Sequence, residues 1–138
     1  MERLYTASVK ATGGREGRLV SSDNVLNLTT VMPKELGGQG GAATNPEQLF
    51  AAGYAACFES ALNMVCRMKK VPWEGTEVTA HVTIGKEADG GYGLEVKLDV
   101  LLKGVDEAQA RELIGAAHET CPYSKAIEGN IPVELNML

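Results

Sequence analysis

The sequence predicts a single α+β domain, because segments with strand-like and helical patterns follow one another in blocks and not as βαβ repeats. Three short strand-like segments precede a long apolar helical segment, and a pair of alternating segments precedes a second helical one. The length of 138 residues suits one domain at roughly 100–200 residues per domain. We therefore expect one domain over residues 1–138, with antiparallel sheets around a long buried central helix.

The first segments predict an antiparallel meander. They are short, partly alternating and separated by turn residues at Gly13–Gly14 and Asp23–Asn24. The predicted strands are Leu4–Lys10, Arg18–Ser21 and Val25–Leu28. The following stretch, Pro33–Gly41, is too rich in glycine for the interior of a helix or strand and is expected to be a loop.

A long central helix is predicted to begin after Asn45, a good N-cap residue, with Pro46 and Glu47 suited to its first turn. It extends to about Lys70, since Pro72 follows. Apolar residues occupy nearly every face of its middle part, and a helix that is apolar all round is buried all round. A chain this small provides little cover, so the pattern predicts a homodimer that buries the helix.

The second half of the chain predicts a hairpin, two helices and a last strand. The hairpin turns at Asp89–Gly91, and Asp106 with Gln109 resembles a capping box that starts a helix. Pro122 ends that helix or starts a new turn. The predicted elements are strands 78–84 and 94–102, helix 108–120, a short helix ending at 127 and strand 131–136.

Composition excludes several classes of protein. Lys and Arg total 13 against 18 Asp and Glu, a net charge of −5, which argues against nucleic-acid binding. The longest uninterrupted apolar stretch, Leu49–Phe58, is too short to cross a bilayer. Three cysteines cannot all pair within one chain, and no secretory signal opens the sequence. We expect a cytoplasmic protein with reduced thiols and no nucleic-acid or membrane partner.

The cysteines are the first candidates for chemistry, although each could also be a small buried apolar residue. Cys57 and Cys66 are nine residues apart on one predicted helix, so they point to opposite sides, roughly 13 Å apart along the axis. They cannot pair with each other, and any intramolecular disulfide joins Cys121 to one of them. Cys66 is best interpreted as a structural residue. Cys121 precedes Pro122 at the start of a short helix, which favours the thiolate and makes it a candidate nucleophile.

Cys57 lies among apolar residues, where desolvation disfavours its thiolate, so it needs a cation from elsewhere. Arg15, on a glycine-rich loop, is a candidate, although most loop arginines are simply solvated. Glu47 either satisfies the helix dipole or holds an arginine in a bidentate pair. The two histidines, His81 and His118, lack the usual ligand spacings, so neither a metal site nor Cys–His chemistry is favoured.

Four blocks of the sequence resemble the organic hydroperoxide resistance (Ohr) proteins of the OsmC/Ohr superfamily. The blocks are Thr44–Phe58, Gly13–Arg15 with Ser21–Asp23, Pro33–Gly38 and Ala117–Ser124. They cover nearly the whole chain in order and at compatible spacing. The resemblance implies an OsmC/Ohr-like fold, an intertwined homodimer with its sites at the subunit interface, and a thiol-dependent peroxidase that reduces organic hydroperoxides to alcohols.

The resemblance also implies a role for each candidate residue. Cys57 takes the position of the peroxidatic cysteine and Cys121 that of the resolving cysteine. Arg15 matches the arginine that activates the thiolate, and Glu47 the acid that orients this arginine. A lipoyl-type dithiol would reduce the resulting disulfide, and no metal or other cofactor is required. The sequence departs from the family pattern at Ile127–Glu128, where Thr-Arg is expected.

An apolar wall of Phe50, Tyr54 and Met64 is expected to bind the substrate. It would favour hydroperoxides with a hydrocarbon group over hydrogen peroxide, because each buried CH2 contributes roughly 0.8 kcal/mol. Two other functions stay open: a non-catalytic ligand-binding or stress-binding protein with the same fold, and an acyl-transferring Cys–His enzyme.

Overall fold

A computed structural model describes residues 1–138, with six strands and three α-helices. In chain order the elements are β1 Val9–Thr12, β2 Arg18–Ser21, β3 Asn27–Thr29, α1 Pro46–Met68, β4 Gly75–Lys86, β5 Tyr92–Lys103, α2 Glu107–Thr120, α3 Pro122–Ile127 and β6 Val133–Met137. The chain divides into two compact units, Met1–Leu49 and Phe50–Leu138. The α+β class is as predicted.

The first unit contains the predicted antiparallel meander, with strand order β1-β2-β3. The predicted first strand, Leu4–Lys10, is wrong over most of its length, because β1 begins only at Val9, opposite Ser21. The neighbouring strand β2 ends at Ser21, so the residues before Val9 have no strand to pair with. The third strand also begins two residues later than predicted, since Val25 still belongs to the turn and donates its N–H to Asp23.

The second unit contains a sheet with order β4-β5-β6. The hairpin of β4 and β5 is antiparallel, as predicted, with Ala80 opposite Leu98. Strand β6 pairs with β5 in parallel, with Leu135 opposite Leu98, so the prediction of purely antiparallel sheets is wrong here. Helices α2 and α3 lie between β5 and β6 in the chain, and such a long connection can return the chain to the same end of the sheet.

Helix α1 supplies much of the hydrophobic core of the second unit. Its buried residues are Tyr54, Phe58, Ala61, Leu62, Val65 and Cys66, and they join one cluster with apolar residues of β5 and α2. The opposite face stays exposed at Ala52, Ala56, Ser60 and Met64. The prediction that α1 is buried on all sides is therefore not met within one chain, because the sheet and α2 cover only one face.

Helix α1 is also long and apolar enough, by length and composition, to cross a membrane. Core helices of soluble proteins meet the same criterion, and six residues of α1 are buried within this chain.

Local capping explains where the helices begin. The Asn45 side chain accepts a hydrogen bond from the Gln48 N–H at 2.9 Å, and the Asp106 side chain accepts one from the Gln109 N–H at 2.8 Å. Both predicted helix starts are confirmed. Cys121 occupies the N-cap position of α3, but its side chain makes no capping hydrogen bond.

Candidate active site

Two of the three thiols lie in contact. The Sγ atoms of Cys121 and Cys57 are 3.6 Å apart, and both cysteines are free, since a disulfide bond would measure about 2.05 Å. Cys57 lies in the middle of α1, and Cys121 lies at the junction of α2 and α3. Cys66 is fully buried in the core, in agreement with its interpretation as a structural residue. Of the two cysteines that helical spacing left open as partners of Cys121, Cys57 is the one whose sulfur is in contact with it.

The two thiols of this pair differ in exposure. Cys57 is partly exposed, whereas Cys121 is completely buried. Burial raises the pKa of Cys57 above its ordinary value, and a hydrogen bond from the backbone of Tyr123 opposes this rise in pKa only in part. At neutral pH these surroundings favour the thiol over the thiolate, so Cys57 needs added positive charge to act as a nucleophile.

Arg15 and Glu47 form the bidentate pair that the sequence suggested. Nη1 of Arg15 donates to Oε2 of Glu47 at 2.8 Å, and Nη2 donates to Oε1 at 2.6 Å. The side chains are only 26% and 15% exposed. The hydrogen bond from Arg15 lowers the pKa of Glu47, and the same bond raises the pKa of Arg15. The guanidinium is thus permanently charged and held in one orientation.

A tight turn carries Arg15, and Thr30 holds this turn in place. The Thr30 hydroxyl accepts a hydrogen bond from the Gly17 N–H and donates one to the Gly14 carbonyl, both at 2.8 Å. A Cβ atom at Gly17 would lie 1.8 Å from the Thr12 carbonyl oxygen, so only glycine fits there. Thr30 could not be identified from the sequence, because no motif marks it and its burial follows only from the fold.

Three hydrogen-bonded polar side chains lie near the thiol pair, and the sequence did not identify them as a set. The Tyr54 hydroxyl is 2.7 Å from Oγ of Ser124, and Nδ1 of His118 is 2.9 Å from the same oxygen. Tyr54 is completely buried, and this desolvation raises the pKa of its hydroxyl. The sequence offered no signal for the bond between Tyr54 and Ser124, which are 70 residues apart.

The predicted substrate-binding residues differ in their surroundings. Phe50 is partly buried and meets Tyr54 edge-on, with ring centroids 6.4 Å apart. Tyr54 is completely buried, whereas Met64 is 38% exposed on the uncovered face of α1. The apolar wall stays a prediction. No group of three or more His, Cys, Asp or Glu side chains is arranged to hold a metal ion.

Comparisons with known proteins place the chain among close relatives. Residues 38–136 match the model of a family described as OsmC-like protein. The organic hydroperoxide resistance protein OhrA of Bacillus subtilis (strain 168) is 54% identical over 140 residues, which cover 97% of this chain and 96% of the relative. An organic hydroperoxide resistance protein of Xanthomonas axonopodis pv. citri (strain 306) is 50% identical over 135 residues, covering 97% and 94%.

A solved structure shows the same fold. The crystal structure of an organic hydroperoxide resistance protein from Legionella pneumophila superposes with a TM-score of 0.95 at 47% sequence identity. The superposition covers 99% of this chain and 98% of the other.

Proposed function

The chain belongs to the OsmC/Ohr family, and from this membership we propose that it is a thiol-dependent peroxidase. In this proposal it reduces organic hydroperoxides to alcohols and serves in the response to oxidative stress. Its relatives are named organic hydroperoxide resistance proteins, which supports a role in hydroperoxide resistance. The observation that carries the chemistry is the contact of the Cys57 and Cys121 sulfurs at 3.6 Å.

The difference in exposure supports the proposed order in which the two thiols react. Cys57 is partly exposed and Cys121 is buried, so a hydroperoxide reaches Cys57 first. The Cys57 thiolate attacks the peroxide oxygen, the O–O bond breaks, and the leaving alkoxide takes up a proton to become the alcohol. Cys57 is left as a sulfenic acid. The Cys121 sulfur then attacks the Cys57 sulfur, which forms the disulfide and releases water.

Arg15 is the cation we propose for thiolate activation. Because burial raises the pKa of Cys57, a fixed positive charge is needed to favour the thiolate and to stabilise the departing alkoxide. An arginine keeps its charge across the physiological pH range, and the bond to Glu47 raises the pKa of Arg15 further. The family resemblance and this ion pair support the assignment, in which Glu47 orients the guanidinium.

A dithiol of the lipoyl type is the proposed reductant, because an intramolecular disulfide is reset by two successive thiol–disulfide exchanges. The proposal places the protein in the reducing cytoplasm, where its cysteines rest as thiols. We also propose a homodimer, since the uncovered face of α1 is apolar at Ala52, Ala56 and Met64. Sedimentation equilibrium should give twice the chain mass, and a monomer at micromolar concentration would contradict this part of the proposal.

Single-turnover oxidation tests the function directly. One equivalent of tert-butyl hydroperoxide should consume two thiols of the reduced protein, release tert-butanol and produce one linked Cys57–Cys121 peptide in mass mapping. The variant Cys57→Ser should lose turnover with dihydrolipoamide. Cys121→Ser should stop at a sulfenic acid that dimedone traps, whereas the matched variant Cys66→Ala should still form the linked peptide. Turnover by Cys57→Ser, or no thiol loss in the unsubstituted protein, would refute the proposal.

Substrate preference is tested with the same enzyme. If an apolar wall including Phe50 and Met64 binds the hydrocarbon group, kcat/KM for cumene hydroperoxide should exceed that for hydrogen peroxide. Equal values for the two peroxides would eliminate this part of the proposal.

A further inference from the structure

A buried hydrogen bond connects the same two elements that carry the reactive thiols. Tyr54 of α1 and Ser124 of α3 are 0% and 3% exposed, and their hydroxyl oxygens are 2.7 Å apart. Tyr54 precedes Cys57 by three residues, and Ser124 follows Cys121 by three. In a helix this spacing brings two side chains close to the same face, about one turn apart. Tyr54 therefore lies about one turn from Cys57 within α1, and Ser124 lies in the first turn of α3, whose N-cap residue is Cys121.

Ser124 is also bonded to the helix that leads into Cys121. Nδ1 of His118, in the last turn of α2, lies 2.9 Å from the Ser124 hydroxyl oxygen. A serine hydroxyl donates one hydrogen bond and can accept others, so it can bond to both partners at once. The segment from Cys121 to Ser124 is thereby tied to α2 on one side and to α1 on the other. The bond between Tyr54 and Ser124 is costly to break, because both hydroxyl groups are buried away from water; His118 is only partly buried.

We infer that Tyr54, Ser124 and His118 are positioning residues that keep the Cys121 thiol within reach of Cys57 while the disulfide forms. This inference rests on the proposed peroxidase function. In this role the three residues act through the position of Cys121, whatever contact Tyr54 makes with the substrate. They act by limiting how far the segment that carries Cys121 moves away from α1.

Two reactions compete for the Cys57 sulfenic acid. In the first, the Cys121 sulfur attacks, an S–S bond forms, the S–O bond breaks, and the oxygen leaves as water with the thiol proton. In the second, another hydroperoxide molecule transfers an oxygen atom, giving the sulfinic acid and one more molecule of alcohol. A displacement of about 1 Å can slow a positioned reaction by a factor of about 100. Loosening the segment should therefore shift the outcome from disulfide to sulfinic acid.

The ratio of sulfinic acid to disulfide at a fixed excess of cumene hydroperoxide is the appropriate measurement, because it does not depend on how fast the sulfenic acid forms. Ser124→Ala should raise this ratio about tenfold or more, given the sensitivity of positioned reactions to small displacements. Tyr54→Phe removes the same hydrogen bond from the other side while it keeps the ring, and should act in the same direction. The double variant should exceed the stronger single variant by little, since both lose one shared bond.

Thr120→Val is the matched control. Thr120 also lies beside Cys121, and its hydroxyl donates to the Ala116 carbonyl at 2.7 Å, but this bond stays within α2. The control should keep the unsubstituted ratio. If Ser124→Ala and Tyr54→Phe both keep that ratio, or if Thr120→Val raises it equally, the positioning role is refuted. If the unsubstituted protein forms no disulfide at all, the peroxidase proposal itself fails, and the positioning role fails with it.

Discussion

Oxidation of the thiol pair should make the folded chain harder to unfold. The Cys57 and Cys121 positions are 64 residues apart, so their disulfide would close a large loop in the unfolded chain. The loop-closure relation gives a loss of unfolded-state entropy equivalent to about 4 kcal/mol at 25 °C for a loop of this size. The predicted stabilisation is thus among the larger values expected for a single disulfide.

Strain in the folded state will reduce this stabilisation. To form the bond, the sulfurs must move from 3.6 Å apart to about 2.05 Å. Cys121 has no exposed surface, so part of this movement strains its packed surroundings. We expect a net stabilisation of about 2–4 kcal/mol.

Urea unfolding followed by circular dichroism can measure the difference between oxidised and reduced protein at equal concentration. With a urea m-value of about 2 kcal/mol/M, the midpoint should rise by about 1–2 M on oxidation. Cys121→Ser, treated with the same peroxide, should show no such rise. An oxidised protein that contains the linked peptide and still unfolds at the same or a lower urea concentration would refute this reasoning. The disulfide would then cost the folded state as much as it costs the unfolded one.

Three further predictions concern stability. Glu47→Gln should lower the free energy of unfolding by about 1–2 kcal/mol at pH 7, because the bonds to Arg15 are charge-assisted. The folded pKa of Glu47 is lowered, so its contribution is complete above the unfolded pKa and disappears as the pH falls through the folded one. The urea midpoints of the two proteins should therefore converge in acid, and a constant gap would contradict this. Gly17→Ala should cost about 2–4 kcal/mol, because its Cβ would meet the Thr12 carbonyl oxygen at 1.8 Å; an unshifted Tm would show that the turn adapts. Cys66→Ala should cost about 1 kcal/mol by urea unfolding, from the buried volume removed, and should leave the yield of linked peptide unchanged.

The features predicted correctly from sequence are those that depend on near neighbours in the chain. Asn45 and Asp106 each cap a helix through a backbone N–H three residues ahead, so the necessary partners are visible in the sequence. The hairpin of β4 and β5 is similar, since alternation and a glycine turn identify it. Desolvation at Cys57 followed from its apolar neighbours on the same helix, and the structure confirms its effect on the pKa.

The features that sequence analysis missed depend on distant partners. The direction of β6 depends on the path of the two preceding helices, whereas the alternation within a strand is the same in parallel and antiparallel pairs. Strand β1 starts late because its partner β2 is short. Thr30 and Ser124 are common polar residues, and only the fold shows that they are buried. The pairing of Cys121 with Cys57 rather than Cys66 came from the family resemblance, because helical spacing excluded only a pair of Cys57 with Cys66.

The surroundings of Cys57 also explain why an arginine suits the proposed activating role. The N–H of Tyr123 favours the thiolate, but the pKa of Cys57 is still raised because burial has the larger effect. The missing stabilisation therefore has to come from a full positive charge that does not titrate near neutral pH, as an arginine provides. A lysine at position 15 would keep the charge, but it could not reproduce the two parallel bonds to Glu47. If orientation matters as well as charge, Cys57 should be oxidised more slowly in Arg15→Lys than in the unsubstituted protein but faster than in Arg15→Ala. Equally slow oxidation of Cys57 in the two variants would show that orientation by Glu47 is the essential requirement.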